Sequence, residues 1–268
     1  MIAGILKKYW GYEGFRPMQE EIIKSALEGK DTLALMPTGG GKSICFQVPA
    51  MARDGLCLVV SPLIALMKDQ VQNLNSKGIK ALAIYSGMPY SKIDITLDNA
   101  IYGDFKFLYV SPERLHTPLF KERVKRMNIN FLVVDEAHCI SQWGQDFRPS
   151  YLRIVNFIDS LPVRPVVGAF TATATEEVRK DVERIMKLQN PHRTVTGFDR
   201  PNLYFEVLHP EMKEAELLKL LKPRQGRSGI VYCATRKSVE HICGYLNDRG
   251  YAATRYHAGL EEAERTAN

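Results

Sequence analysis

Short, almost continuously apolar runs recur along the chain and limit the folds open to it more than any other feature. Each run is three to five residues long, and segments with helical spacing lie between most of them. The seven runs are Thr32–Leu35, Leu56–Val60, 82–84, Phe107–Val110, 131–134, 166–170 and 230–233. Strands that lack polar alternation are covered on both faces, as in parallel sheets. The pattern predicts an α/β fold with a mostly parallel sheet and helices on both faces.

The length and composition favour one large or two smaller globular domains. The chain has 268 residues, of which 45% are hydrophobic and 25% charged, so a disordered chain is excluded. Helices are expected to start at Pro17 and Pro62 and to cover 176–188, 211–221 and 237–248. The alternation restarts after 196–202, so we predict a first lobe over 1–206 and a partial second lobe over 207–268.

Cysteine spacing and hydropathy indicate the compartment. The five cysteines contain no CxxC pair, so zinc is not expected, and buried free thiols in a reducing compartment are the simplest account. The apolar run at the N-terminus is too short for a signal peptide, and no stretch approaches the roughly 18 apolar residues of a membrane span. We expect no membrane partner and a cytoplasmic location, or a nuclear one in a eukaryote.

The segment MPTGGGKS at positions 36–43 follows the first apolar run and has the pattern of a phosphate-binding loop. Glycines allow backbone N–H groups to point at phosphate oxygens, and the following helix presents its N-terminus to the same anion. Lys42 is expected to reach the β- and γ-phosphates, and the Ser43 hydroxyl to bind Mg²⁺. The strict pattern has glycine at the first position, where this chain has Met36.

Two acids end the fifth apolar run, and they supply the second half of a nucleotide site. Asp135 is expected to hold Mg²⁺ and Glu136 to orient and activate the attacking water. His138 follows them, and the hydroxyls of 171–175 are expected to bond to it and to sense the γ-phosphate. The same threonines also suit the cap of the next helix, and both roles are compatible.

Basic residues form two groups, one over 114–126 and one over 222–237, in a chain with a net charge of +6. Such groups are typical either of solvated faces or of nucleic-acid contact, and charge alone does not decide between them.

The segment DEAHCISQWGQDFRPSY at 135–151 resembles the RecQ family of superfamily-two, DEAH-box DNA helicases. The resemblance covers essentially the whole chain and implies RecA-like P-loop NTPase lobes. It also implies ATP and Mg²⁺ as cofactors, single-stranded and branched duplex DNA as partners, and 3′-to-5′ unwinding in repair or recombination. The segment after the acids is then an aromatic loop in which Trp143, Phe147 and Arg148 contact single-stranded DNA. Aromatics buried in the core are the alternative.

The segment WGYEGFRPMQ at 10–19 is similar to the family's adenine-recognition segment. The resemblance implies that Tyr12 and Arg16 flank the adenine ring and that Gln19 reads its edge. An amide donates and accepts at once, which suits adenine. The remaining nucleotide-binding positions belong to the loop and are Thr38, Gly39, Gly40, Gly41, Lys42 and Ser43.

Three further segments resemble DNA-contact or lobe-coupling elements of the family, at 61–70, 109–115 and 198–202. Ser61 and Ser111 each end a strand before a proline, where backbone N–H groups are expected to grip DNA phosphates, and Arg114 adds charge.

Segments 230–237 and 256–260 resemble the opening of a second motor lobe, and we expect a fragment that lacks the family's arginine finger. Such a fragment binds ATP and DNA with weak turnover, because the finger supplies roughly 10³–10⁵ in rate at related sites. The alternatives are a nucleotide- and DNA-binding module without unwinding and an RNA helicase of the same superfamily.

Overall fold

The computed structural model describes residues 1–144, 146–197 and 202–268. They fall into two compact units, Met1–Asp199 and Arg200–Asn268. The segment predicted at 198–202 as a lobe-coupling element lies outside the described residues except for Asn202.

Seven strands form one sheet in the first unit, and every strand pair is parallel. Their order across the sheet is β3-β4-β2-β5-β6-β1-β7. The strands are β1 (Thr32–Leu35), β2 (Leu56–Val60), β3 (Ala81–Ile84), β4 (Phe107–Val110), β5 (Ile129–Val134), β6 (Val166–Thr171) and β7 (His192–Val195). The predicted parallel α/β fold is confirmed, with six of its strands close to the apolar runs.

Helices cover both faces of this sheet. They are α1 (Ile2–Trp10), α2 (Gln19–Leu27), α3 (Lys42–Met51), α4 (Ile64–Ser76), α5 (Tyr90–Tyr102), α6 (Pro118–Val124), α7 (Ile154–Asp159) and α8 (Glu176–Ile185). The helices α2, α3 and α4 pack in one apolar cluster with strand side chains such as Val59 and Phe131. The helices α5, α6, α7 and α8 pack in a second cluster with strand side chains such as Leu58 and Leu132. Neighbouring residues of one strand therefore enter opposite clusters, as the pleat requires.

The carboxyl ends of β1, β2, β5 and β6 meet at one edge of the sheet, because the strands run parallel. The strand β4 ends at the same edge, and 3-10 helices at Pro112–His116 and Ala137–Ile140 follow β4 and β5 there. Ligands of open α/β sheets bind at this edge.

The second unit contains α9 (Lys213–Leu221), a 3-10 turn at Lys222–Arg224, α10 (Arg236–Asn247) and α11 (Glu262–Ala267). The strand predicted at 230–233 was wrong, since no strand forms anywhere in 202–268. Ile230 and Tyr232 are 80% and 91% exposed. A strand exists only as a member of a ladder, and this apolar run has no neighbouring strand to pair with.

No helix in the described parts of the chain is both long and apolar enough to cross a membrane.

Candidate functional site

The phosphate-binding loop lies between β1 and α3, and its glycines are required by geometry. Gly39 and Gly41 have φ of 78° and 82°, in the left-handed region that disfavours side chains. A Cβ on Gly40 would lie 2.8 Å from the carbonyl oxygen of Pro37. Lys42 and Ser43 then open α3, so their side chains stand beside backbone N–H groups at a helix N-terminus.

Met36 belongs to the core rather than to the loop. Its N–H donates to the carbonyl oxygen of Thr171 at 3.0 Å, which extends the pairing of β1 with β6 by one residue. The side chain is 2% exposed, and its sulfur lies 3.7 Å from the Sγ of Cys45. Nothing at this position calls for glycine, so the departure from the strict pattern leaves the loop intact.

Asp135 and Glu136 follow β5 at the same edge of the sheet. The N–H of Asp135 donates to the carbonyl oxygen of Val60 at 2.9 Å, which continues the ladder and holds the carboxylate over the strand ends. Glu136 has φ of 48°, a turn that separates the two acids, and its N–H donates to Oδ1 of Asp135 at 3.0 Å. Burial, and then the neighbouring Glu136, raise the pKa of Asp135 to about 6.

The carboxylate of Glu136 lies close to two side chains, an imidazole and an ammonium group. Its carboxylate is 3.3 Å from Nδ1 of His138 and 3.8 Å from Nζ of Lys42. The hydrogen bond from His138 lowers the pKa of Glu136, and the charge of Lys42 lowers it further against the effect of burial. Glu136 is therefore an ionised, acceptor-only group beside the phosphate loop.

His138 connects the acids to β6, as the sequence predicted. Its Nδ1 lies 2.8 Å from Oγ1 of Thr171. That hydroxyl donates to the carbonyl oxygen of Thr173 at 3.1 Å, so it accepts from His138, and the proton sits on Nδ1. Thr175 fills the alternative role, because its hydroxyl accepts from the N–H of Val178 and caps α8.

The segment before α2 closes the site from the other side. The Nη1 of Arg16 donates to the carbonyl oxygen of Gly39 at 2.5 Å. Gln19 is 4% exposed, accepts from the N–H of Arg16 at 2.9 Å and donates to the carbonyl oxygen of Gly41 at 3.2 Å. Tyr12 is 54% exposed and lies along the same opening.

One cavity of about 520 Å³ unites these elements. Its lining contains the predicted adenine-binding residues, loop residues and acids, which are Tyr12, Arg16, Gln19, Thr38, Gly39, Gly41, Lys42, Ser43, Asp135 and Glu136. Residues that the sequence reasoning did not assign to nucleotide binding also line it, notably Gln70 and Tyr109. Tyr109 lies on an apolar strand and showed no sequence signal for this role. Gln70 ends a segment that was predicted only as a DNA-contact or lobe-coupling element.

The donor set in this cavity fits Mg²⁺. Ser43 and Asp135 both present oxygen, the ligand that this ion prefers, and a site with few protein ligands leaves positions for water and phosphate. No cluster of three or more histidine, cysteine or acidic side chains suited to a metal occurs in the described ranges.

The aromatic segment begins directly after the 3-10 helix that carries His138. Trp143 is 79% exposed and Phe147 is half-buried, so Trp143 is free of the core. Arg148 forms a fork with Oδ2 of Asp146, at 3.1 and 2.9 Å, and donates to the carbonyl oxygen of Pro62 at 3.2 Å. The second contact ties the segment to the chain that follows β2.

Ser61 and Ser111 are placed differently from the expectation. They are 2% and 4% exposed, and their N–H groups donate to the carbonyl oxygens of Val110 and Ile84 within the sheet. A proline without an N–H follows each serine, so the next backbone donors of these turns lie two residues beyond the serines. Arg114 is half-buried and donates to the carbonyl oxygen of Tyr85 at 3.1 Å.

Two side chains that support the site gave no usable sequence signal. Tyr151 is fully buried and donates its hydroxyl to the carbonyl oxygen of Asp135 at 3.0 Å, which fixes the end of β5 from behind. Asp181, on α8, accepts a hydrogen bond from Ser141 at 2.7 Å. Ser141 and Asp181 are distant in sequence, and although Asp135 and Tyr151 stand at the two ends of one motif, the motif does not indicate that they bond to each other.

Comparison with known proteins agrees with this architecture. The DEAD/DEAH box helicase family profile matches residues 16–182. The chain is 42% identical over 261 residues to the ATP-dependent DNA helicase RecQ of Pasteurella multocida, covering 97% of this chain and 41% of that protein. It is 42% identical over 259 residues to the ATP-dependent DNA helicase RecQ of Bacillus subtilis, covering 96% and 44%. The chain thus spans about two fifths of the length of these curated relatives.

A solved structure shares the fold at low sequence identity. The helicase Lhr of Mycobacterium smegmatis, solved bound to ssDNA and AMP-PNP, superposes with a TM-score of 0.68 at 17% identity. The match covers 96% of this chain and 38% of that one.

Proposed function

The chain belongs to the DEAD/DEAH box helicase family, and we propose that it is the ATP-driven motor part of a RecQ-type DNA helicase. The proposed activity couples ATP hydrolysis to 3′-to-5′ movement along single-stranded DNA and to duplex unwinding in repair or recombination. One observation carries the proposal: Lys42, Ser43, Asp135 and Glu136 converge on the cavity that the segment 12–19 closes.

The residues divide the chemistry among them. The loop N–H groups and Lys42 bind the β- and γ-phosphates, since a helix N-terminus and an ammonium group both favour a polyanion. Glu136 accepts a hydrogen bond from the attacking water and orients it toward the γ-phosphate. The Nδ1 of His138 lies within reach of both Glu136 and Thr171, so the position of the acid depends on β6.

Ser43 and Asp135 are the proposed Mg²⁺ ligands, and the ion would supply charge neutralisation on the phosphate oxygens. Burial and the neighbouring Glu136 raise the pKa of Asp135 although the charge of Lys42 opposes them, and a cation bound at the carboxylate would favour its ionised form.

Adenine selection falls to Tyr12, Arg16 and Gln19. The amide of Gln19 bonds to the loop and to the N–H of Arg16, so reading adenine requires it to exchange or share these partners. Competition binding with a fluorescent ATP analogue tests the assignment. ATP is expected to displace the analogue at far lower concentration than GTP, and equal displacement would contradict it.

Single-stranded and branched duplex DNA are the proposed partners, through Trp143, Phe147, Arg148, Arg114 and the turns after Ser61 and Ser111. The exposed indole of Trp143 supports stacking on bases, which is worth roughly 1–3 kcal/mol per base. The proposed compartment follows the substrate, namely the cytoplasm of a bacterium or the nucleus of a eukaryote.

The decisive measurement is the steady-state ATPase rate of residues 1–268 without nucleic acid, with single-stranded DNA and with RNA of the same sequence. Weak turnover that single-stranded DNA raises supports the motor assignment, whereas brisk DNA-stimulated hydrolysis would contradict the weak turnover expected of this chain. Stimulation by RNA alone would favour an RNA helicase. ATP and DNA binding without stimulated turnover would favour a binding module.

A further inference from the structure

A hydrogen-bonded relay joins the aromatic segment to α8. The backbone N–H of Trp143 donates to Oγ of Ser141 at 3.2 Å, and that hydroxyl donates to Oδ2 of Asp181 at 2.7 Å. Arg184 donates to the other carboxylate oxygen of Asp181 at 2.6 Å. The hydroxyl proton of Ser141 is thus directed at Asp181, which leaves an oxygen lone pair for Trp143.

The relay is shielded from water. Ser141 is fully buried, and the side chain of Asp181 is 18% exposed. A hydrogen bond from a hydroxyl to a carboxylate is stronger than a neutral one, and partial exclusion of water strengthens it further. Hydrogen bonds from Arg184 and then from Ser141 lower the pKa of Asp181, which keeps this carboxylate ionised and acceptor-only near neutral pH.

The turn that carries Trp143 is packed too closely to move without breaking this relay. The N–H of Gly144 donates to the carbonyl oxygen of Ser141 at 3.0 Å, and a Cβ at Gly144 would collide with the carbonyl oxygen of His138. The backbone of the turn is therefore fixed, while the indole itself projects into solvent.

The relay and the hydrogen bond of His138 connect the segment 138–143 to two consecutive elements of the chain, β6 and α8. His138 bonds to Thr171 at the end of β6, and three residues later Ser141 bonds to α8, which follows β6. The segment between the acids and the indole is therefore held at both ends by β6 and α8. A displacement of β6 acts on Glu136 through His138, and a displacement of α8 acts on Trp143 through Ser141.

We propose that Asp181 is a positioning residue that sets the orientation of Trp143 for DNA contact and links it to the γ-phosphate side of the site. This inference rests on the proposed function of Trp143. Asp181 itself contacts neither nucleotide-site nor DNA-contact side chains, and it acts through Ser141. Of the assignments made from sequence motifs, none includes Asp181.

The experiment compares Asp181→Ala, Asp181→Asn and Ser141→Ala with the matched control Glu183→Ala. Glu183 lies on the same helix, and its carboxylate also pairs with an arginine, Arg193 of β7. All variants are made in residues 1–268 carrying Trp10→Phe, which leaves Trp143 as the sole tryptophan because the sequence contains two. The readouts are Trp143 fluorescence anisotropy, affinity for single-stranded DNA and affinity for a fluorescent ATP analogue.

Asp181→Ala and Ser141→Ala are each expected to lower the anisotropy of Trp143 and to weaken DNA binding about threefold to tenfold, as expected when part of a charged hydrogen bond is lost. ATP affinity is expected to stay unchanged. Asp181→Asn should keep most of the parent's anisotropy and DNA affinity, because the amide oxygen still accepts from Ser141. Glu183→Ala should resemble the parent, and the double variant Ser141→Ala/Asp181→Ala should be no worse than either single variant.

Unchanged anisotropy in Asp181→Ala would overturn the inference, as would equal losses in Asp181→Asn or Glu183→Ala. If Asp181→Ala proves unfolded by circular dichroism, Ser141→Ala decides alone, since it removes one hydroxyl. If the parent protein does not bind single-stranded DNA, the proposed function fails, and the anisotropy measurements still decide whether Asp181 fixes the turn.

Discussion

The ammonium group of Lys42 lies 3.8 Å from Oε1 of Glu136. The side chains are 16% and 23% exposed, so water screens the pair only in part. The residue proposed to bind the phosphates and the acid proposed to activate water thus interact with each other. A γ-phosphate in the cavity would compete with Glu136 for Lys42. Nucleotide binding would then leave the carboxylate free to accept from water.

This relationship predicts opposite effects for two substitutions. Lys42→Ala should weaken ATP binding by about tenfold to a hundredfold or more, as expected when a hydrogen bond to a charged group is lost. Glu136→Gln should bind ATP at least as tightly as the parent, because it removes the anion that competes for Lys42, while hydrolysis is lost. Titration with a fluorescent ATP analogue measures both affinities.

The control for these variants is Lys30→Ala, which removes an exposed lysine paired with Glu28 outside the cavity. Its ATP affinity should match that of the parent. Weaker ATP binding by Glu136→Gln would show that Glu136 does not compete with the phosphate.

Trp143→Ala should weaken binding of single-stranded DNA by about 1–3 kcal/mol without changing the unfolding midpoint. The indole is 79% exposed, so its removal takes little from the core. Tyr90→Ala removes an aromatic ring that is 69% exposed at the start of α5 and serves as the control. Fluorescence polarisation with a labelled oligonucleotide compares them, and equal losses in the two variants would refute a specific role for Trp143.

The sequence predicted strands well where apolar runs were continuous. It predicted them poorly where strand formation depends on a neighbouring strand. The central strands were evident because both of their faces are covered. β7, at His192–Val195, escaped prediction because two of its four residues are charged or titratable and only Thr194 is buried, as suits an edge strand. The apolar run at 230–233 was wrongly predicted to be a strand, because apolar character alone does not supply a neighbouring strand to pair with.

The site was predictable to the extent that its chemistry is local. A glycine-rich turn and an acid pair at strand ends indicate phosphate and metal binding from a few residues each. Contacts such as Tyr151 to Asp135, or Ser141 to Asp181, depend on how distant segments pack, and no spacing rule encodes them. The sequence did not indicate that the N–H groups of Ser61 and Ser111 bond within the sheet. A strand end looks the same in sequence whether its last N–H is free or paired.

Asp31 is predicted to be a major source of stability for the strand that leads into the phosphate loop. Its carboxylate is 1% exposed and accepts from the N–H groups of Val167 and Gln189, at 2.9 and 2.6 Å, and from the guanidinium of Arg164. Asp31→Ala leaves two N–H donors without an acceptor and removes the counter-charge of Arg164, which keeps only the carbonyl oxygens of Pro165 and Lys187, and should cost about 3–5 kcal/mol. Urea unfolding followed by circular dichroism measures the loss.

Asp159→Ala is the matched control, because Asp159 pairs with Lys187 at the surface, where both side chains are at least half exposed. It should change the free energy of unfolding by no more than about 1 kcal/mol. Similar losses in the two variants would mean that the buried carboxylate contributes no more than a surface pair.

Toward a disulfide reagent at pH 8, two of the five thiols are predicted to react fast and three to react slowly. Cys45, Cys57 and Cys139 are buried, whereas Cys233 and Cys243 are half-buried. Burial, with the carboxylate of Asp146 nearby, raises the pKa of Cys139 to about 12, and burial raises the pKa of Cys57 as well. At pH 8 a thiol with that pKa is ionised in roughly one molecule in ten thousand, and the thiolate is the reacting form.

The thiolate fraction of a buried group with a pKa of about 12 rises tenfold per pH unit but is still only roughly one in a thousand at pH 9, so the fast count should stay at two between pH 7 and pH 9. Absorbance of the released thiolate counts each phase. Cys233→Ser combined with Cys243→Ser should abolish the fast phase, and guanidinium should expose all five thiols. A fast phase that persists in the double variant would place one of the three buried thiols within reach of solvent, against the packing of Cys57 and Cys139 beside β5.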